Sequence, residues 1–134
     1  MLLLASMVAD QGIRDGILAI DDEPELLELL EQSLGRCGFQ VYARLTAKEG
    51  VEFYEQHSDR IKLVLLDYLM PEMTGDLVFE CLKRHNPDVK TILLTGCEEY
   101  VAKRMFEEGL CGYIHKPFAL EDLIKQVQEA VDAI

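Results

Sequence analysis

Short apolar segments alternate with amphipathic helical patterns five times along this chain of 134 residues. The first apolar segment, residues 16–20, is followed by leucines at helical spacing, and similar pairs of patterns continue to the end of the chain. The segment at residues 61–66 is apolar except for one lysine, as in parallel strands that are covered on both faces. The alternation predicts a single α/β domain, with helices on both faces of a parallel sheet.

Several residues suit the predicted ends of these elements. Pro24 suits the first turn of the first helix, and Gly35 and Gly38 are predicted to end that helical unit. Thr46 and Glu49 have the spacing of a capping box that opens the second helix. The third predicted helix carries its apolar residues at Leu77, Val78, Cys81 and Leu82. The predicted strands comprise residues 16–20, 39–43, 61–66, 91–95 and 110–114.

The charge of the chain argues against one class of partner. The net charge is −12, from 25 acidic and 13 basic residues, and no basic run of the kind that nucleic acid binding needs is present. The apolar start of the chain has no basic flank and is too short for a membrane span. We therefore expect no nucleic acid partner and no membrane insertion, and we divide the chain into a loose leader, residues 1–15, and one domain, residues 16–134.

The cysteines predict the redox compartment. They lie at Cys37, Cys81, Cys97 and Cys111, without the spacing of a zinc site. Each lies in or near an apolar segment, where a free thiol packs as a small hydrophobic group. Such usage is typical of a reducing environment, so we predict a cytoplasmic location.

Polar residues collect where the predicted strands end. Asp21 and Asp22 follow the first strand, Asp67 follows the third, Thr95 closes the fourth and Lys116 follows the fifth. The carboxyl ends of parallel strands meet at one edge of the sheet, where proteins of this class bind their ligands. We therefore expect these five side chains to lie close together.

Each of these residues also has an ordinary structural interpretation. Asp21 and Asp22 would serve as helix N-caps, Asp67 as a turn residue, Thr95 as the start of a loop and Lys116 as a solvated loop lysine. We favour a site because chance is a poor explanation for all five residue types at one edge of the sheet.

Three carboxylates at one place need a counter-charge. At an effective dielectric constant near 20, a like-charge pair at 4 Å costs about 4 kcal/mol, so that a proton or a cation must be bound. Mg²⁺ prefers oxygen ligands, and Lys116 would add a second positive charge. An aspartate in this setting can act as a nucleophile that forms an aspartyl-phosphate, with catalysis that is mostly positioning and charge neutralisation.

Four motifs, in this order, resemble those of the response-regulator receiver family. They are Asp21-Asp22-Glu23-Pro24, residues 66–75 (LDYLMPEMTG), Leu94-Thr95-Gly96 and His115-Lys116-Pro117-Phe118. The resemblance covers about residues 16–133. It implies a flavodoxin-like, doubly wound (βα)₅ fold whose five-stranded parallel sheet has the order 2-1-3-4-5.

The resemblance implies a metal site and a phosphoacceptor. Asp67 would accept the phosphoryl group. Asp22, Asp67 and the backbone carbonyl of Leu69 would bind Mg²⁺ directly, and Asp21 would act largely through water. Leu69 and Cys97 occupy positions that vary in the family and influence the lifetime of the phosphoryl group.

The resemblance also implies a switch. Thr95 and Lys116 would contact the phosphoryl oxygens, and Tyr113 matches an aromatic residue that changes its packing together with Thr95. The alternative for Tyr113 is an ordinary half-buried strand aromatic. In this family the lysine–proline bond at this position is characteristically cis, so we expect the bond between Lys116 and Pro117 to be cis.

These features predict a phosphoacceptor signalling domain of a two-component phosphorelay, and not an enzyme that turns over an external substrate. A histidine kinase, a phosphotransfer protein or a small phosphodonor would supply the phosphoryl group. The fourth helix, fifth strand and fifth helix would then act on a downstream output domain or protein, and phosphorylation would favour a homodimer. The domain would stand alone or form part of a hybrid kinase or a longer regulator.

Two other functions fit the sequence less well. A phosphohydrolase of the haloacid dehalogenase type needs a second aspartate two residues after the nucleophile, where this chain has Leu69. A flavin or nucleotide binder of the flavodoxin type needs a glycine-rich phosphate loop. The first loop here instead carries Asp21, Asp22 and Glu23.

Overall fold

A computed structural model describes residues 16–96 and 99–134. The predicted leader, residues 1–15, and Cys97 lie outside the described residues. The strands are β1 Gly16–Ile20, β2 Gln40–Arg44, β3 Ile61–Asp67, β4 Thr91–Thr95 and β5 Gly112–His115. The helices are α1 Pro24–Arg36, α2 Ala47–His57, α3 Gly75–His85, α4 Glu99–Glu107 and α5 Leu120–Asp132, and a 3-10 turn, Ser58–Arg60, precedes β3. None of these helices is long and apolar enough to cross a membrane.

The five strands form one sheet in the order β2-β1-β3-β4-β5, and each neighbouring pair is parallel. The predicted fold is therefore confirmed. The strand order reverses between β1 and β3, where Ile20 lies opposite Leu66. Asp67, the last residue of β3, lies opposite Leu94 of β4. The carboxyl ends of β1 and β3 thus border the crevice in which this fold class binds ligands.

Two apolar layers hold the sheet, as β3 illustrates. Leu63 and Leu65 pack with residues of α1 and α5, whereas Val64 and Leu66 pack with residues of α2, α3 and α4. Successive side chains of a strand point to opposite faces, and all four of these are fully buried. Because β3 is fixed from both sides, the position of Asp67 at its end is fixed as well.

The ends of α1 agree with the sequence prediction in part. Pro24 lies in the first turn of α1, as predicted. Gly38 has a φ of +95° and ends the turn after α1, but Gly35 lies within the helix, so the prediction that both glycines end it is wrong for Gly35. The reason is that the Phe39 N–H reaches back to the Leu34 carbonyl oxygen at 3.1 Å, and this closure requires a positive φ only at Gly38.

The predicted start of α2 is confirmed. Thr46 is the N-cap, and its hydroxyl oxygen accepts a hydrogen bond from the Glu49 N–H at 3.1 Å. The same hydroxyl donates to the Glu49 carboxylate at 3.0 Å. The side-chain contact differs from the usual capping box, in which the glutamate accepts from the backbone of the cap residue.

Two strands begin later than predicted. The strand predicted at residues 39–43 is Gln40–Arg44, and the one predicted at 110–114 is Gly112–His115. In the second case the Leu110 N–H still bonds to the Met105 carbonyl oxygen of α4 at 3.0 Å, so this residue closes the helix and cannot yet join the sheet. Gly109, with a φ of +109°, makes this closure possible.

Candidate functional site

The polar residues predicted to converge do lie at the carboxyl end of the sheet. Asp21 follows β1, Asp67 ends β3, Thr95 ends β4 and Lys116 follows β5. Asp21 is 1% exposed, Asp67 5% and Thr95 1%. Three polar side chains are therefore buried at the ends of strands that are otherwise apolar, which is costly unless each has a partner.

Asp21 is held by the backbone on both sides. Its N–H donates to the Arg44 carbonyl oxygen at 3.2 Å, and its Oδ1 accepts from the Glu23 N–H at 2.9 Å. The N-cap of α1 is Glu23, so the interpretation of Asp21 and Asp22 as helix N-caps is wrong. The tight turn uses Oδ1 of Asp21 before the helix begins, and this leaves Oδ2 directed at Lys116.

The Lys116 ammonium is the positive centre of the site. Its Nζ lies 2.9 Å from Asp21 Oδ2, 3.4 Å from Asp67 Oδ1 and 3.6 Å from Glu23 Oε2. The Lys116 N–H donates to the Thr95 carbonyl oxygen at 2.9 Å, which ties the loop after β5 to the end of β4. The Lys116–Pro117 bond is cis, as the family resemblance implied. Lys116 is therefore not the solvated loop lysine of the alternative interpretation.

The charges in the site are out of balance. Burial, and after it the charge of the neighbouring Asp21, raise the pKa of Asp67 to about 6 against the charge and hydrogen bond of Lys116. Burial also raises the pKa of Asp21, against the hydrogen bond from Lys116. Burial lowers the pKa of Lys116, but the hydrogen bond and charge of Asp21, together with the charges of Asp67 and Glu23, outweigh this effect and leave the pKa above its ordinary value. One firmly charged ammonium thus faces more negative charge than it can offset.

The donor set fits a hard divalent cation. Asp21, Asp22 and Asp67 each offer a carboxylate oxygen, and these oxygens lie within 4.8 Å of one another. Within residues 16–96 and 99–134, no other group of three such ligands occurs. Asp22 is exposed, so the cluster opens to solvent on one side. A cation such as Mg²⁺, which takes oxygen ligands, would supply the missing positive charge.

The loop after β3 closes tightly over the backbone of Asp67. The Gly75 N–H donates to the Tyr68 carbonyl oxygen at 2.7 Å. A Cβ atom on Gly75 would lie 2.8 Å from the Asp67 carbonyl oxygen and 2.9 Å from the Tyr68 Cα. Glycine therefore lets the first turn of α3 approach the end of β3. Gly75 ends the motif at residues 66–75, just before the third predicted helix, and a glycine at that place was a sequence signal of close packing. Leu69, in this loop, exposes its side chain.

Tyr113 lies one strand away from the acidic cluster. It is opposite Leu93 of β4, two residues from the end of that strand. The residue is half-buried, its hydroxyl oxygen is buried, and the ring packs against the core layer formed with α2, α3 and α4. Its ring also meets the His115 ring edge to face, with centroids 6.4 Å apart. This is one packing of Tyr113, and the exchange with a second one stays a prediction.

Comparison with known proteins points to the same family by sequence and by fold. The chain matches the family model of the response regulator receiver domain over residues 17–128. Its fold is similar to that of a response regulator receiver domain protein from Clostridium thermocellum, with a TM-score of 0.83 and 28% identity. That similarity covers 89% of this chain and 95% of the other.

Curated relatives are longer than this chain. It is 34% identical to the response regulator MprA of Mycobacterium leprae, over 84% of this chain and 49% of that protein. It is 27% identical to the sensor kinase CckA of Brucella abortus, over 87% of this chain and 12% of that protein. The chain therefore spans about half the length of the first of these relatives and about an eighth of the length of the second.

Proposed function

Since the chain belongs to the response-regulator receiver family, whose members are signalling domains of two-component systems, we propose that it accepts a phosphoryl group on Asp67. The observation that carries the proposal is the contact of Asp67 with Lys116, at 3.4 Å, beside two further carboxylates at the carboxyl end of the sheet. A nucleophile, a fixed positive charge and a set of oxygen ligands thus meet at one place.

In the transfer, one carboxylate oxygen of Asp67 forms a bond to phosphorus while the bond from phosphorus to the leaving group breaks. The leaving group is an imidazole nitrogen when the donor is phosphohistidine and an acetate oxygen when the donor is acetyl phosphate. A pKa of about 6 leaves Asp67 mostly ionised at neutral pH, as a nucleophile must be. Lys116 and the Thr95 hydroxyl would contact the oxygens of the transferred group.

We assign the cation site to the same residues. Asp22, Asp67 and the backbone carbonyl of Leu69 would hold Mg²⁺, with Asp21 acting largely through water. Bound Mg²⁺ would offset the negative charge of the donor and of the transferred phosphoryl group. The chain's own part is to hold the carboxylates together. Because Asp21 and Asp67 are buried, solvent does little to offset the negative charge of their oxygens.

The signal would leave through a neighbouring surface. A phosphoryl group on Asp67 would attract the Thr95 hydroxyl, because a charge-assisted hydrogen bond is stronger than a neutral one. Tyr113 would then repack, and the surface of α4, β5 and α5, which includes Tyr100 and Leu120, would change. A histidine kinase or phosphotransfer protein would donate the group, and an output domain, a separate protein or a second copy of the domain would respond.

Two further properties belong to this proposal. Water would slowly remove the phosphoryl group in the same site, without any turnover of an external substrate. The setting would be the cytoplasm, which is consistent with the free thiols of Cys37, Cys81 and Cys111 among the described residues.

The test is phosphorylation by acetyl phosphate, followed on gels that retard phosphoproteins. The wild type should be modified only when Mg²⁺ is present, and Asp67→Asn should not be modified. Asp59→Asn is the matched control, because Asp59 is an exposed aspartate in the turn that leads into the same strand. Equal modification of the wild type and Asp67→Asn would move the phosphoacceptor elsewhere.

A further inference from the structure

Glu23 is an acidic contact of Lys116 whose role the family motifs leave open. Its Oε2 lies 3.6 Å from Lys116 Nζ, and its side chain is 62% exposed. Glu23 occupies the N-cap position of α1 but makes no side-chain hydrogen bond to the helix. Its N–H is held by Asp21 Oδ1, so the backbone is fixed while the carboxylate extends toward Lys116.

The three carboxylates around Lys116 are not equivalent. The contact with Asp21, at 2.9 Å, is buried, and so is Asp67, at 3.4 Å. Glu23 lies on the solvent side, where it lines a groove together with Leu26, Leu29, Lys116, Pro117 and Phe118. A phosphoryl group on Asp67 would need the same ammonium. The Glu23 contact is the weakest of the three and is the one that solvent can replace.

We propose that Glu23 is a positioning residue that competes with the phosphoryl group for Lys116. In the unphosphorylated domain it holds the ammonium toward solvent, and transfer to Asp67 requires that this contact be given up. The inference rests on the proposed function and adds a regulatory element to the same site. Exposed ion pairs change an equilibrium by up to roughly fivefold, so the effect on the phosphorylation rate should be about two- to fivefold.

The experiment measures the initial rate of phosphorylation by acetyl phosphate at saturating Mg²⁺. Glu23→Gln should accelerate it by about two- to fivefold. Glu23→Asp keeps the charge but shortens the side chain, and it should accelerate the reaction as well because the carboxylate no longer reaches Lys116. Glu25→Gln, an exposed acid in the first turn of the same helix, removes the same charge and should leave the rate near that of the wild type.

Lys116→Gln separates positioning from simple charge repulsion. If Glu23 acts through Lys116, Glu23→Gln should have no effect on the slower rate of the Lys116→Gln protein. Acceleration of equal size in both backgrounds, or with Glu25→Gln, would mean that Glu23 only repels the donor, and would overturn the inference.

The two proposals fail in different ways. A wild type that is phosphorylated on Asp67 at the same rate as both Glu23 variants would overturn the inference and leave the proposed function standing. A wild type that is not phosphorylated on Asp67 at all would overturn both. Thermal unfolding of each variant shows whether it is folded under the conditions in which its phosphorylation rate is compared with that of the wild type.

Discussion

At the amino end of the sheet a buried tyrosine and a half-buried asparagine bond to neutral partners, whereas at the carboxyl end buried aspartates face an ammonium and one another as charges. In the turn before β4, the Asn86 amide donates to the Tyr54 hydroxyl at 3.0 Å, and Asn86 Oδ1 accepts from the Asp88 N–H at 3.1 Å. At the other end, Asp21 and Asp67 share a single ammonium, that of Lys116.

This contrast shows where the fold accepts a loss of stability. The ordinary pKa of an aspartate is near 3.8, and that of Asp67 is about 6. This difference of about two pKa units means that ionised Asp67 lowers the free energy of unfolding at neutral pH by at most about 3 kcal/mol. Within residues 16–96 and 99–134, the buried charged side chains are Asp21 and Asp67, both at the carboxyl end of the sheet. Perturbed carboxylates of this kind concentrate at functional sites.

The largest effect is expected from removal of the Lys116 charge. Lys116→Met should lower the free energy of unfolding by about 3 kcal/mol at pH 7.5, because Asp21 is then buried without its partner. The loss should shrink as the pH falls through about 6, because Asp67, and Asp21 with its raised pKa, then bind protons and no longer need a positive partner. Urea unfolding in the presence of a chelator gives the value.

Lys83 provides the control for that comparison. Its ammonium lies 3.7 Å from Glu108 Oε2 and donates to the Glu108 carbonyl oxygen at 3.0 Å, on the surface between α3 and the end of α4. Lys83→Met should cost less than about 1 kcal/mol, since its ion pair is partly exposed. Similar losses for the two variants would contradict the contrast between the two ends of the sheet.

The next effect is a gain in stability. The raised pKa means that the folded state binds a proton on Asp67 more tightly than the unfolded chain does between about pH 4 and 6. The free energy of unfolding of the wild type therefore falls as the pH rises through 6. That of the Asp67→Asn protein does not, because asparagine has no such charge. Without a metal, Asp67→Asn should raise the free energy of unfolding by about 2 kcal/mol at pH 7.5 and by almost nothing at pH 4.

Two measurements sharpen this prediction. Asp59→Asn, at the exposed amino end of β3, should change stability by less than about 0.5 kcal/mol at either pH. Addition of Mg²⁺ should stabilise the wild type but not Asp67→Asn, because only the wild type keeps the complete donor set. A gain for Asp67→Asn that is as large at pH 4 as at pH 7.5 would contradict the electrostatic explanation.

The features that local pattern decides were predictable from the sequence. The order of the elements, the parallel sheet and the convergence of Asp21, Asp67, Thr95 and Lys116 all follow from where apolar segments end. The cap at Thr46 was predictable because it depends on two residues three positions apart. The strand order 2-1-3-4-5 came only from the family resemblance.

Features that depend on packing were not predictable in the same way. Leu77 was expected among the apolar residues of the third helix, yet it is 48% exposed, and Phe79 is fully buried instead. The buried face of α3 comprises Gly75, Val78, Phe79 and Leu82, which are at helical spacing. Helical spacing alone did not single out this face, because Gly75 has no side chain that marks it as a core residue. The contact of Glu23 with Lys116 also escaped the sequence, because Glu23 is the N-cap of α1 and does not lie at the end of a strand.

The smallest of these effects is expected at the amino end, from the hydrogen bond between Asn86 and Tyr54. Tyr54→Phe removes the acceptor and should lower the free energy of unfolding by about 1 kcal/mol. Asn86→Ala should cost slightly more, because the turn bond to the Asp88 N–H is lost as well. A double-mutant cycle should give a coupling of about 0.5 to 1.5 kcal/mol.

The pH dependence of that coupling decides whether the two ends of the sheet really differ. Asparagine does not ionise, and burial raises the pKa of Tyr54 above its ordinary value of 10, so neither group changes its charge near neutrality. The coupling measured at pH 5 should therefore equal that measured at pH 8, while the effect of Asp67→Asn grows over the same interval. Tyr42→Phe, which removes a tyrosine hydroxyl from the half-buried edge strand β2, is the control for loss of the group itself. A coupling that rises with pH in step with Asp67 would mean that the amino end also carries a buried charge.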